Sequence, residues 1–252
     1  MNMNRRRVVQ TAIASLCCGT QYAMGQDSRY HGCALSSSEM ADRVGQNPVP
    51  LPYQAAVAVH GSGNSNFDRA LAVSLMMVSE TFSVLPGFAF SERVIRNAFA
   101  SPRKDLGRGD GSVVFGNTLY REIMNSNEHP EVGILTVCAH EFAHIVQFKY
   151  GIDKRLVPCR DCSVKRLELH ADFLAGYFAG RRKLERSDFP AAVFAKTQYN
   201  FGDDHYGSPT HHGTPKERGE AVVAGFSSGF RDRQDFQTAL QVGLNYVQRV
   251  PL

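Results

Sequence analysis

The chain has 252 residues, 43% of them hydrophobic, with 28 Lys plus Arg against 24 Asp plus Glu. That length and apolar content can build a core without staples, and no apolar run approaches the roughly 20 residues needed to span a bilayer. No basic stripe interleaved with aromatics is present, so nucleic acid is not an expected partner.

In chain order, Arg5, Arg6 and Arg7 precede the modestly apolar "VVQTAIASLCCG", and the small residues Ala23 and Gly25 follow. This reads as an export signal over residues 1–25, its arginines leaning towards the twin-arginine route. Leu16 stands where lipoprotein processing at Cys17 would want a small residue. The segment carries three arginines and no acid, so what remains has 25 Lys plus Arg against 24 Asp plus Glu. The apparent basicity belongs to the leader. The expectation is a bacterial protein that is periplasmic or secreted, with no stable membrane insertion after signal removal. The sequence sets no oligomeric state.

Residues 26–66, rich in Ser, Gly, Asn and Pro, read as an irregular arm with a strand candidate at Tyr53–Val59. Residues 67–252 read as one folded domain. Phe67 to Leu85 has the pattern of a buried helix stopped by Pro86 and Gly87. "GSVVFGNTLY", Gly111 to Tyr120, is β-branched and aromatic between glycines, hence a short strand. Glu131 to Tyr150 reads as a helix closed by Gly151. A loop with Pro158 follows, in which Cys159 and Cys162 could form a disulfide in an oxidising compartment. Ser163 is placed to cap a second helix running to about Arg186. A third helix is punctuated by Thr214 as N-cap, Pro215 at the first position and Glu217 completing a capping box. Phe236, Leu240, Leu244 and Val247 give a last helical stripe. The fold class is α+β, helix-dominated, with a small sheet.

His140, Glu141 and His144 spell HExxH. Four residues apart on a helix, the two imidazoles share a face, about 6 Å apart along the axis. Both can aim a ring nitrogen at one tetrahedral metal ion. Glu141 lies about 100° round from His140, near enough to reach a metal-bound water without ligating the metal. Cys138, about 200° from His140, points instead to the core.

A catalytic zinc usually takes a third protein ligand and keeps one position open. In "KRLELHADFLAGYFAG", Glu168 and Asp172 are again four apart and face one way. Glu168 can bind the metal, and Asp172 can accept a hydrogen bond from the far nitrogen of a ligating histidine. Buried carboxylates among apolar neighbours are costly unless partnered. Ala171, Ala175, Gly176, Ala179 and Gly180 would let this helix approach the first. His170 is the alternative third ligand but lies about 200° from Glu168.

HExxH followed by ExxxD resembles the pattern of glutamate-type zinc metallopeptidases. "AHEFAHIVQ", "RLELHADFLAG" and "HHGTPKERGEAVVAGFSSG" resemble the bacterial neutral zinc metallopeptidases, and "NAFASP" with "GSVVFG" resembles the strand segment upstream of HExxH in related small enzymes. The resemblance covers roughly residues 86–229. It implies a compact zincin-like metallopeptidase domain with an edge strand over the zinc, expected at Val113–Gly116, that could pair with an extended substrate. Such enzymes often carry a residue that polarises the substrate carbonyl. His212 is the candidate here, ahead of His211, Tyr199 and Tyr206.

The expected activity is hydrolysis of peptide bonds in a peptide or protein substrate. His140, His144 and Glu168 would hold one Zn2+ ion, with Glu141 as general base and His212 assisting at the carbonyl. Two other readings fit the same residues: a metal-binding but non-hydrolytic periplasmic peptide-binding or chaperone-like module, and hydrolysis of a non-peptide amide.

Overall fold

The structure, a computed structural model, describes residues 61–92, 96–104, 106, 109–125, 129–159 and 162–252. The export signal at 1–25 and the strand candidate at Tyr53–Val59 lie outside them. The first helix, α1 (Ser65–Phe82), starts at Asn64, whose side chain accepts from the backbone N–H groups of Asn66 and Phe67. The arm therefore gives way to helix slightly before the expected boundary. Leu71, Leu75, Val78 and Phe82 form its buried face. It stops at Phe82 rather than Leu85, because Ser83 takes a left-handed conformation and its N–H returns to the helix end. Pro86 also disfavours helical backbone at Leu85.

Three short strands follow: β1 (Gly87–Ser91), β2 (Ala98–Ser101) and β3 (Ser112–Gly116). Their order is β1-β3-β2, with β1 parallel and β2 antiparallel to β3. This corrects the sequence reading, which put Val113–Gly116 at an edge. That strand is central, and β2 is the edge strand that packs against the HExxH helix. Side chains alternate between two layers. Phe88, Phe90, Ala100, Val113 and Phe115 join the main core, while Ala89, Phe99 and Val114 pack with Leu106 on the other face. The strand expected to reach Tyr120 ends at Gly116. Asn117–Met124 forms α2, with Leu119 and Tyr120 buried and Ile123 and Met124 packed beside them, which is helical spacing.

The centre is α3 (Pro130–Tyr150), buried continuously from Gly133 to Gln147 and ended by Gly151 at φ 64°. A short helix, α4 (Ile152–Leu156), occupies part of the expected loop, and Cys159 and Cys162 are joined as a disulfide. Next comes α5 (Lys165–Glu185), buried nearly all round as far as Gly180. Val164, not Ser163, occupies its N-cap position, and Val164 N–H donates to Pro209 O. The Ser163 hydroxyl accepts from Lys165 N. The Arg166 guanidinium, in the same first turn, donates twice to the Val250 carbonyl near the C-terminus.

Helix α6 (Ala192–Asn200) leads into a loop, then α7 (Pro215–Phe230) begins with the expected Thr214–Glu217 capping box. Its Glu217 carboxylate also pairs with the buried Lys165 ammonium at 2.6 Å. The last helix, α8 (Phe236–Gln248), opens at Asp235 and stacks Phe236 on Phe82. The small residues of α5 do not all serve α3, as the sequence suggested. Gly176 and Gly180 face α7, where a Cβ on Gly176 would overlap the Val222 carbonyl and one on Gly225 would overlap that of Phe173. The two helices meet backbone to backbone. The architecture is helix-dominated α+β with a three-stranded mixed sheet. Among the described residues, no helix is long and apolar enough to cross a membrane.

Gly225→Ala should force α5 and α7 apart and cost about 1–3 kcal/mol of stability. Urea unfolding reads this directly, and an unchanged midpoint would mean that the seam tolerates a side chain.

Candidate metal centre

Helix α3 fixes the first two side chains. His140 and His144 stand one turn apart, rings nearly perpendicular at 89° and centroids 4.7 Å apart. Their Nε2 atoms approach to 3.1 Å. Helix α5 brings the third: Glu168 places Oε2 3.2 Å from His140 Nε2 and Oε1 3.5 Å from His144 Nε2. One donor atom from each of the three lies within 4.8 Å of the others, and all three side chains are buried.

The surrounding hydrogen bonds fix what these atoms carry. His140 Nδ1 is 2.8 Å from Asp172 Oδ1, and that carboxylate also receives two bonds from the buried Arg218. An ionised carboxylate only accepts, so His140 Nδ1 carries a proton and Nε2 is the nitrogen that faces the site. His144 Nδ1 is 2.7 Å from Gln147 Oε1. Gln147 cannot be turned the other way, because its Nε2 donates to the Leu167 carbonyl at 2.8 Å. Nδ1 of His144 is therefore the donor as well. Two imidazole nitrogens and a carboxylate thus converge in a dry site. They repel one another unless a proton or a metal cation joins them, and that donor set fits a metal ion.

The electrostatics carry the same tension. Burial pulls the His140 pKa down, but the Asp172 and Glu168 carboxylates outweigh it and raise it to about 10. Burial holds His144 down to about 4, against the pull of Glu168. Glu168 stays well below the usual carboxylate range: burial opposes this, and His144, His140 and His212 overcome it.

Glu141 is buried on the same turn as His140. Cys138 lies in the core, its thiol pushed well up by burial and then by the Glu141 carboxylate, so it is no nucleophile. His170 turns away from the trio, its Nδ1 accepting from Gln147 Nε2 at 3.1 Å and its Nε2 facing Leu240 O. Glu168 is thus the third residue that the fold brings to the histidines.

His212 is buried just before α7, close enough for its charge to act on Glu168. Its backbone N–H and Nδ1 meet Asp203 Oδ2 at 3.0 and 3.2 Å, and His211 Nδ1 pairs with Asp203 Oδ1. Burial opposes ionisation of Asp203, but these bonds hold its carboxyl far below the usual range. An ionised carboxylate only accepts, so His212 Nδ1 is the donor of its bond to Asp203. Tyr199 and Tyr206 are largely exposed; Tyr199 lines a surface groove with Lys196, Lys216, Val223 and Tyr246.

Gln147, Arg218 and Asp203 were not singled out from the sequence. Only Gln147 left a local signal, lying three residues past His144 and so near its face of the helix. A buried arginine and a loop aspartate look like ordinary surface residues until the helices are assembled.

If the trio holds a metal ion, Glu168→Ala should weaken that binding by more than the roughly 10–100-fold lost with an outer partner. Elemental analysis of both purified proteins measures this; metal retained in the variant would exclude Glu168 as a ligand. Searches against protein-family models, curated proteins and solved structures find no match to this chain.

Proposed function

We propose that the protein is a zinc-dependent peptidase, acting on peptides or proteins after export to the periplasm or beyond. The observation that carries this is the convergence of three lone-pair donors, two from His140 and His144 and one from Glu168, with Glu141 on the same helical turn. Two nitrogens and one carboxylate oxygen suit zinc with one position left for water or substrate. When bound there, the ion acidifies water and polarises a carbonyl.

The chain's own residues would do the rest. Asp172 and Gln147 hold the two rings with their lone pairs inward. Glu141 accepts a proton at its carboxylate and returns it to the leaving amine. His212, braced by Asp203, would assist at the carbonyl oxygen as charge develops there. The edge strand β2 packs on α3 but is buried along its whole length, so it is not assigned to substrate pairing. The Cys159–Cys162 disulfide agrees with an oxidising compartment, as does the leader read at residues 1–25. The likeness of HExxH and ExxxD to glutamate-type zinc metallopeptidases supports the same conclusion.

Glu141→Gln should keep its metal and its fold yet lose about 10²–10⁴-fold in peptide hydrolysis, the usual contribution of a general base. Incubating mature protein with a mixed peptide library, with and without chelator, provides the assay. Full hydrolysis by the variant would remove Glu141 from the mechanism. Metal-dependent peptide binding without cleavage by the wild type would instead identify a binding module.

A further inference from the structure

Arg218 belongs to no motif read from the sequence, yet it is among the most enclosed charges in the molecule. Only 2% of it is exposed, and it lies 46 residues from the aspartate it binds. Its guanidinium makes a fork on Asp172, with Nε to Oδ2 at 2.7 Å and Nη2 to Oδ1 at 2.9 Å. Two further donors are used as well: Nη2 reaches Gln198 Oε1 at 3.1 Å and Nη1 the Phe201 carbonyl at 3.2 Å. One side chain from α7 thus grips α5, α6 and the start of the loop that leads to Asp203.

The Asp172 oxygen bonded by Nη2 is also the one that meets His140 Nδ1 at 2.8 Å. A carboxylate held at one oxygen by a lone imidazole can swing about its own axis. Held at both by a planar fork, it has one orientation. Because α7 meets α5 backbone to backbone at Gly176 and Gly225, the arginine is delivered to that carboxylate by helices that have no slack between them.

We infer that Arg218 is a positioning residue for the metal centre: acting through Asp172, it aims His140 Nε2 at the point where His144 and Glu168 also converge. The same side chain anchors Phe201, two residues before the aspartate that braces His211 and His212, so both sides of the site share one arginine. The inference rests on the metal reading of the trio and adds to it a residue that touches neither metal nor substrate.

The test is a cycle of zinc dissociation constants, measured by competition with a chromophoric chelator on folded protein, with unfolding temperature recorded in parallel. Arg218→Lys keeps the charge but cannot bond both Asp172 oxygens in a plane. It should weaken zinc about 10–100-fold, the range for outer partners of metal ligands. Arg218→Met should do the same, and in an Asp172→Asn background it should cause no further loss, since its route to His140 is already cut. A purely structural arginine would lower the unfolding temperature and leave the zinc constant of the folded protein unchanged. That result in Arg218→Lys, or equal losses from Arg218→Met in both backgrounds, would overturn the inference. Should Arg218→Met not fold, the lysine variant decides alone. Wild type and Glu168→Ala serve as controls. If wild type takes up no zinc, the metal reading itself fails, which is a separate outcome from wild-type binding that Arg218 variants leave intact.

Discussion

Three electron-rich atoms pressed together in a dry core is the condition around which the rest of this molecule is arranged. His140 Nε2, His144 Nε2 and the Glu168 carboxylate lie 3.1–3.5 Å apart, with Nδ1 of each ring bonded outward. In water such atoms would separate or be hydrated. Here two helices buried almost all round hold them in place, and a shared positive charge, from a proton or a metal ion, makes the arrangement favourable. The apolar surroundings would strengthen the hold on such an ion, because the low dielectric that penalises the bare donors also strengthens their attraction to positive charge.

The helices that carry the donors have little freedom to relieve the strain. Helix α3 is walled by α1, by β2 and β3 of the sheet, and by α5. Helix α5 is clamped on its other side by α7 across a glycine seam. Its first turn, one step before Glu168, is tied by the Lys165–Glu217 pair and by Arg166 on Val250. The site is therefore preorganised by backbone contact and buried ion pairs, and the outer partners of the two histidines differ in kind. One is a carboxylate whose charge is balanced by an arginine, the other a neutral amide. Neither adds net negative charge to the centre.

What the sequence disclosed was what local periodicity can encode. Positions four apart on a helix share a face wherever the helix lies, so His140 with His144 and Glu168 with Asp172 were legible without coordinates. The capping box at Thr214 is equally local and formed as expected. The failures all needed a neighbour to be known. Strand order is a property of the sheet, so Val113–Gly116 was placed at an edge and lies at the centre. Glycines mark a close approach without naming what approaches, so Gly176 and Gly180 were assigned to the wrong helix. The backbone after Gly116 switches from strand to helix because Leu119, Tyr120, Ile123 and Met124 find a helical face to bury. Arg218 and Asp203 gain meaning only once distant segments are brought together.

The bond from Arg166 to Val250 has a practical side. Val250, just past α8, straps the start of the helix that delivers Glu168, so a substitution that shifts the end of α8 would be felt at the site. Variants meant to leave the centre untouched are best made away from both ends of that bond.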